Sequence, residues 1–76
     1  MSGADLIRAE LYGANLKDAK LIGANLSDAR LQYAELDGAN LEGANLEGAI
    51  LSYATMKGVI LCNTTMPDGS VIYSGC

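Results

Sequence analysis

Alanine returns at every fifth residue through most of this chain, and a large apolar residue follows two places behind it. Ala fills positions 4, 9, 14, 19, 24, 29, 34, 39, 44, 49 and 54, and Val59 takes the next place. The second series is Leu6, Leu11, Leu16, Leu21, Leu26, Leu31, Leu36, Leu41, Leu46, Leu51, Met56 and Leu61, and its phase runs on through Met66 and Val71 to Cys76. A period of five suits neither regular element. On an α-helix, at about 100° per residue, successive leucines would spiral around the axis instead of forming a stripe. On a flat strand, where side chains alternate, they would fall on opposite faces. The pattern is satisfied by a chain that turns a corner every five residues, always in the same sense, so that each Leu and its Ala partner point inward.

The corners are marked by the residues two places after each central apolar position. Gly3, Gly13, Gly23, Gly38, Gly43, Gly48 and Gly58 stand there, and Asp18, Asp28, Asn63 and Asp68 share the slot. These residue types tolerate the positive φ that the third position of a type II turn requires. Pro67 stands one place earlier, where its fixed φ is favoured. Tyr33, Tyr53 and Tyr73 occupy the same slot as the glycines. Because positive φ is costly for an aromatic residue, their corners are expected to depart from type II.

The tandem motif A(D/N)LXX, seen in ADLIR, ANLKD, ANLSD and the repeated ANLEG, resembles the pentapeptide-repeat family. The resemblance covers residues 4–63 almost without interruption. It implies an all-β fold, a right-handed quadrilateral β-helix with four pentapeptides per square coil, and so about three and a half coils of twenty residues. The expected organisation is an N-terminal leader without a cap at 1–3, a regular repeat at 4–63, and irregular closing repeats forming a cap at 64–76. The tail, LCNTTMPDGSVIYSGC, is similar to closing segments of such proteins from photosynthetic bacteria. Thr64, Gly69 and Ser74 stand where Ala is expected, and all are small enough for an inward slot.

If one coil is twenty residues, positions twenty apart stack, and the outward side chains can be paired off. Arg8 then lies beneath Asp28, Glu10 beneath Arg30, and Lys17, Asp37 and Lys57 form a ladder of alternating charge. Opposed charges across a sheet stabilise by a few tenths of a kcal/mol, so these residues read as holding coils in register. Tyr33, Tyr53 and Tyr73 should line one edge, with Tyr12 near its lower end. This column is either a stabilising stack or a candidate interaction strip. Glu35, Asp37, Glu42 and Glu47 make a candidate acidic patch. Within the family, some acidic members mimic duplex DNA and engage type II topoisomerases such as gyrase. The resemblance therefore implies that activity as an alternative to a structural role.

Composition excludes most chemistry. Nine acids against five bases give a net charge of −4 without any basic cluster, which argues against direct binding to nucleic acid or to an anionic membrane. With no His, the common general base is missing, and no phosphate loop or metal-ligand spacing occurs. No catalytic residue, cofactor or metal is expected, and the chain does not read as an enzyme. Asp5, Asn15, Asn25, Asn40 and Asn45 read as side chains that hydrogen-bond the backbone at corners. Cys62 and Cys76 are too few for a disulfide framework; the plain reading is two reduced thiols in a cytoplasmic protein, with a single Cys62–Cys76 bridge as the alternative that no sequence signal supports. No signal peptide is evident. The expected function is a non-catalytic scaffold or protein-interaction module. Its expected partner is itself or another pentapeptide-repeat chain, stacked on the coil that carries Leu6, Leu11, Leu16 and Leu21.

Overall fold

In the computed structural model, which describes residues 2–76, the chain bends at each predicted corner as far as Gly58, and short bridging segments separate those corners. The bridges are parallel and join residues twenty apart: Asp5 to Asn25, Asn25 to Asn45 and Asn45 to Thr65 on one side, with the series through Glu10, Asn15 and Lys20 on the others. From residue 5 to residue 45, the repeat therefore sits beneath the chain twenty residues later.

One pentapeptide, 25–29, shows how the backbone is satisfied. The Asn25 amide donates to Ala4 O (2.8 Å) below, and the Leu26 amide to Asn45 O (2.7 Å) above. Asp28 donates upward to Glu47 O (2.9 Å), while Ala29 closes the corner on Leu26 O (3.0 Å). The remaining amide, that of Ser27, donates to Asn25 Oδ1 (3.1 Å). No amide of the unit is left without an acceptor, as buried backbone requires. The same side-chain bond recurs from Ile7 to Asp5, Lys17 to Asn15, Glu42 to Asn40 and Glu47 to Asn45, which is the corner role expected of these residues.

The turn bond from the fourth to the first residue, with positive φ at the third position only, makes these corners type II. Positive φ runs without a gap from Gly3 to Asn63 at five-residue spacing. It includes Arg8 at 59°, Asp18 and Asp28 at 59°, Tyr33 at 62° and Tyr53 at 61°. The tyrosine corners are thus not exceptions, contrary to the sequence expectation. Each closes its turn bond, Ala34 on Leu31 O and Ala54 on Leu51 O (both 3.0 Å), and the Tyr33 amide also donates to Ser52 O (3.0 Å) in the tier above, so the backbone bonds set the corner whatever side chain stands there.

The core is the inward column of the two apolar series. Leu21, Leu26, Leu31, Leu36, Leu41 and Leu46 are wholly buried, and Ala24 to Ala49 of the alanine series are buried with them. At about 1.5–3 kcal/mol for each fully buried Leu, this column is the main source of stability. Leu6, Leu11 and Leu16 at one end, and Leu51, Met56, Leu61 and Met66 at the other, are only half-buried. Leu21 does not share the exposure expected of it. Its neighbour Ile22 already has chain beneath it, with the Gly3 amide donating to Ile22 O (2.7 Å).

The repeat phase stops at Met66. Strand β1 (Leu61–Thr65) continues the solenoid and then pairs antiparallel with β2 (Val71–Ser74), with Cys62 opposite Tyr73 and Thr65 opposite Val71. Between them Pro67, Asp68 and Gly69 make a tight reversal. The Gly69 amide donates to Met66 O (2.8 Å) and the Met66 amide to Ser70 O (2.7 Å). Asp68 does not take positive φ, and Gly69 does, at 88°. The expected type II corner is therefore replaced by a type I turn with a glycine bulge, a hairpin connection. Consequently Val71 and Cys76 do not extend the inward column, and Gly69 and Ser74 lie exposed. Thr64 does take the inward slot. It is wholly buried, and its Oγ1 donates to Leu41 O (2.6 Å).

The hairpin also brings Cys76 back to Cys62, and the two form a disulfide with Cα atoms 5.3 Å apart. This overturns the reading of two reduced thiols. The spacing of fourteen residues carries no signal by itself. Only the reversal at residues 67–69 makes the two cysteines neighbours.

Candidate functional site

Outward side chains fall into vertical columns because the backbone register is fixed at twenty. The tyrosine column is the most developed. The Tyr33 and Tyr53 rings stack 5.0 Å apart and within 10° of parallel, and Tyr12 leans on Tyr33 at 5.3 Å and 57°. All three are exposed, Tyr53 to 78%. Positive φ costs each non-glycine residue about 1–2 kcal/mol, whereas a ring pair returns about 0.5–1.5 kcal/mol. The stack thus roughly offsets the strain at Tyr33 and Tyr53. Tyr73 makes no ring pair in this column. It lies on β2, where the chain runs backwards and the twenty-residue register no longer applies.

The charged residues do not form the predicted ladders. Among the described residues the one ion pair is Lys17 Nζ to Glu35 Oε2 at 4.0 Å, between side chains about half exposed. Such a pair stabilises by at most about 1 kcal/mol. Asp37 spends its Oδ1 on the Lys57 backbone amide (3.0 Å) and not on a lysine ammonium. The Asp28 carboxylate lies against Gly48 in the tier above, where a Cβ would collide with it, and Asp18 lies against Gly38 in the same way. Each aspartate uses the space left by the absent side chain above. Arg8, Glu10, Asp28 and Arg30 line an open cleft of about 390 Å³ with Gly48 and Ile50, yet no ion pair joins them.

The four candidate acids are dispersed. Glu42, Glu47 and Asp37 stand at three different corners, and Glu35 on the side bearing the Asn15–Glu35–Thr55 bridges. The twenty-residue register gives each acid a column with no second acid: Ile22–Glu42–Cys62, Ser27–Glu47–Pro67, Lys17–Asp37–Lys57 and Asn15–Glu35–Thr55. Asp68, at the hairpin turn, accepts from the Ser70 hydroxyl (2.6 Å) and the Ser70 amide (3.0 Å). These two bonds hold its carboxyl below the ordinary value of 3.8. Among the described residues no group of three or more His, Cys, Asp or Glu side chains is placed to hold a metal ion. No helix there is long and apolar enough to cross a membrane.

A square solenoid with type II corners, Leu and Ala inward and Asx side chains on the corner amides, defines a class of β-helix built from five-residue units. The chain belongs to the pentapeptide-repeat family, whose profile matches eight copies over residues 1–28 and 29–66. Among solved structures it is similar to HetL, a pentapeptide repeat protein involved in heterocyst differentiation regulation from the cyanobacterium Nostoc. Identity is 40% over 92% of this chain and 33% of HetL, with a TM-score of 0.89. It also matches a pentapeptide repeat protein from the Arabidopsis thaliana thylakoid lumen. There identity is 32% over 93% of this chain and 63% of that one, with a TM-score of 0.23. The family and the HetL likeness imply the right-handed quadrilateral β-helix. The chain spans a third of the length of HetL. No curated protein matches it.

Proposed function

We propose that this chain is a non-catalytic scaffold, acting through coil-on-coil stacking in the cytoplasm. The observation that carries this reading is the half-exposed layer of Leu6, Leu11 and Leu16, set against the complete burial of the leucines from Leu21 to Leu46. A leucine layer and its strand edge want a further tier, because a solenoid's terminal repeat exposes both core and unpaired backbone. The tier we propose is another copy of this chain or another pentapeptide-repeat chain. The tyrosine column serves as a lateral contact strip, since Tyr is enriched at binding hot spots. We assign no catalytic residue and no cofactor. A DNA-mimicking role towards a topoisomerase would need an unbroken acidic stripe. The columns through Glu35, Asp37, Glu42 and Glu47 each hold one acid, so the register favours the scaffold.

Light scattering across a concentration series tests the reading. The full chain should show a concentration-dependent rise in mass. Leu11→Lys with Leu16→Lys should return it to the monomer while circular dichroism stays unchanged. A monomer at every concentration would overturn self-stacking, and association untouched by the two lysines would place the contact elsewhere.

A further inference from the structure

The closing hairpin has a boundary of its own. The lower edge of β1 belongs to the solenoid: the Gly43 amide donates to Cys62 O (2.9 Å), Leu46 to Thr65 O (2.8 Å), and Thr65 itself donates down to Ala44 O (3.0 Å). The upper edge of β1 is occupied by β2, which lies where a further tier would run but in the opposite direction. β2 has little side-chain anchorage. Val71 is 46% and Tyr73 70% exposed, Ser74 is exposed, and only Ile72 is half-buried. A two-stranded hairpin of this length is marginal alone in water. Its open end is fastened instead by covalent means. Gly75, at φ 85°, lies so flat on Ile60 that a Cβ would stand 3.3 Å from the Ile60 Cα, and this carries the exposed Cys76 to the half-buried Cys62.

We propose that the Cys62–Cys76 disulfide is a redox latch on the solenoid's edge: a dithiol reductant opens it, β2 lifts from β1, and the Leu61–Thr65 edge becomes free while the tiers beneath stay folded. The reductant's thiolate attacks the accessible Cys76 Sγ, forming a mixed disulfide and expelling Cys62 as a thiolate that takes a proton from solvent. The reductant's second thiol then displaces Cys76, which leaves as a thiolate and is protonated in turn. The reductant departs as a disulfide, having given two electrons. The latch is independent of whether the opposite end stacks on another copy.

Hydrogen exchange of the full chain, oxidised and in dithiothreitol, tests it. Reduction is expected to speed exchange in Val71–Cys76 by roughly a hundredfold, the size of the closure term for a loop of this length. The amides of residues 24–49 and of Thr65, which donates downward, should keep their protection. The double variant Cys62→Ser, Cys76→Ser should exchange like the reduced chain and ignore the reductant. Unchanged protection of β2 on reduction would overturn the latch, because the hairpin would then hold itself. Loss of protection throughout would also overturn it, because the bridge would then staple the whole fold. Free thiols in the air-oxidised chain would remove its premise.

Discussion

A single slot, the third residue of each corner, does most of the conformational work, and its occupants show what the backbone demands. Gly, Asp, Asn, Arg and Tyr all adopt φ near 57–75° there, held by bonds within the corner and, as far as Gly48, by a bond to the tier above. The slot therefore imposes a conformational cost that glycine does not incur. Tyr53 is the clearest place to measure it, since its ring is 78% exposed and stacks on Tyr33 alone. Tyr53→Ala removes the ring and keeps the strain, whereas Tyr53→Gly removes both. The glycine variant is expected to be more stable than the alanine variant by about 1 kcal/mol in urea unfolding. Equal stabilities would mean that the strain has been absorbed elsewhere.

At the scale of elements, the hairpin turn is set by Asp68, whose Oδ1 accepts both Ser70 donors. Its folded carboxyl pKa lies below the ordinary value, so its contribution to stability is present above pH 3.8 and is lost as pH falls through the lower folded value. Ser70→Ala removes the hydroxyl donor, the larger cause. It should raise the Asp68 titration midpoint towards 3.8, as followed by carboxyl NMR shifts, and an unmoved midpoint would assign the depression to the backbone amide. Most of the repeat was legible in the sequence, because a five-residue period, glycine-type corner residues and Asx side chains agree on one answer. The tail was not, and the reason is specific. Met66 and Val71 fall in phase with the leucines, so Pro67-Asp68 read as one more corner. Moving positive φ by one residue, from the corner slot to Gly69, turned a bend into a reversal. The signal available was Pro-Asp-Gly leading into Val-Ile-Tyr, a hairpin turn followed by β-branched and aromatic residues. With the reversal missed, the Cys62–Cys76 disulfide stayed an alternative without support, and the loss of Tyr73 from the tyrosine column was missed. The charge ladders failed differently. Register placed the residues correctly, but Asp28 and Asp37 found nearer uses against Gly48 and on the Lys57 amide.

Across the whole molecule, stability is graded along the axis. Each tier touches only the tiers above and below, so interior leucines have neighbours on both sides and terminal ones on one. Leu36→Ala should cost about 3 kcal/mol and Leu6→Ala about 1 kcal/mol, as measured by denaturant midpoints at unchanged slope. Equal losses would show that the first tier is covered in solution. The twenty-residue register has another consequence. Adding or removing one pentapeptide leaves the leucine and alanine columns inward, yet it rotates everything after it by a quarter turn. Removing residues 36–40, for instance, would carry Tyr53 from above Tyr33 to above Asp28, with the interior composed as before. The repeat thus works as an indexing wheel. Its inner teeth are identical, and its outer face can be re-addressed one notch at a time, without any substitution in the part that holds the fold together.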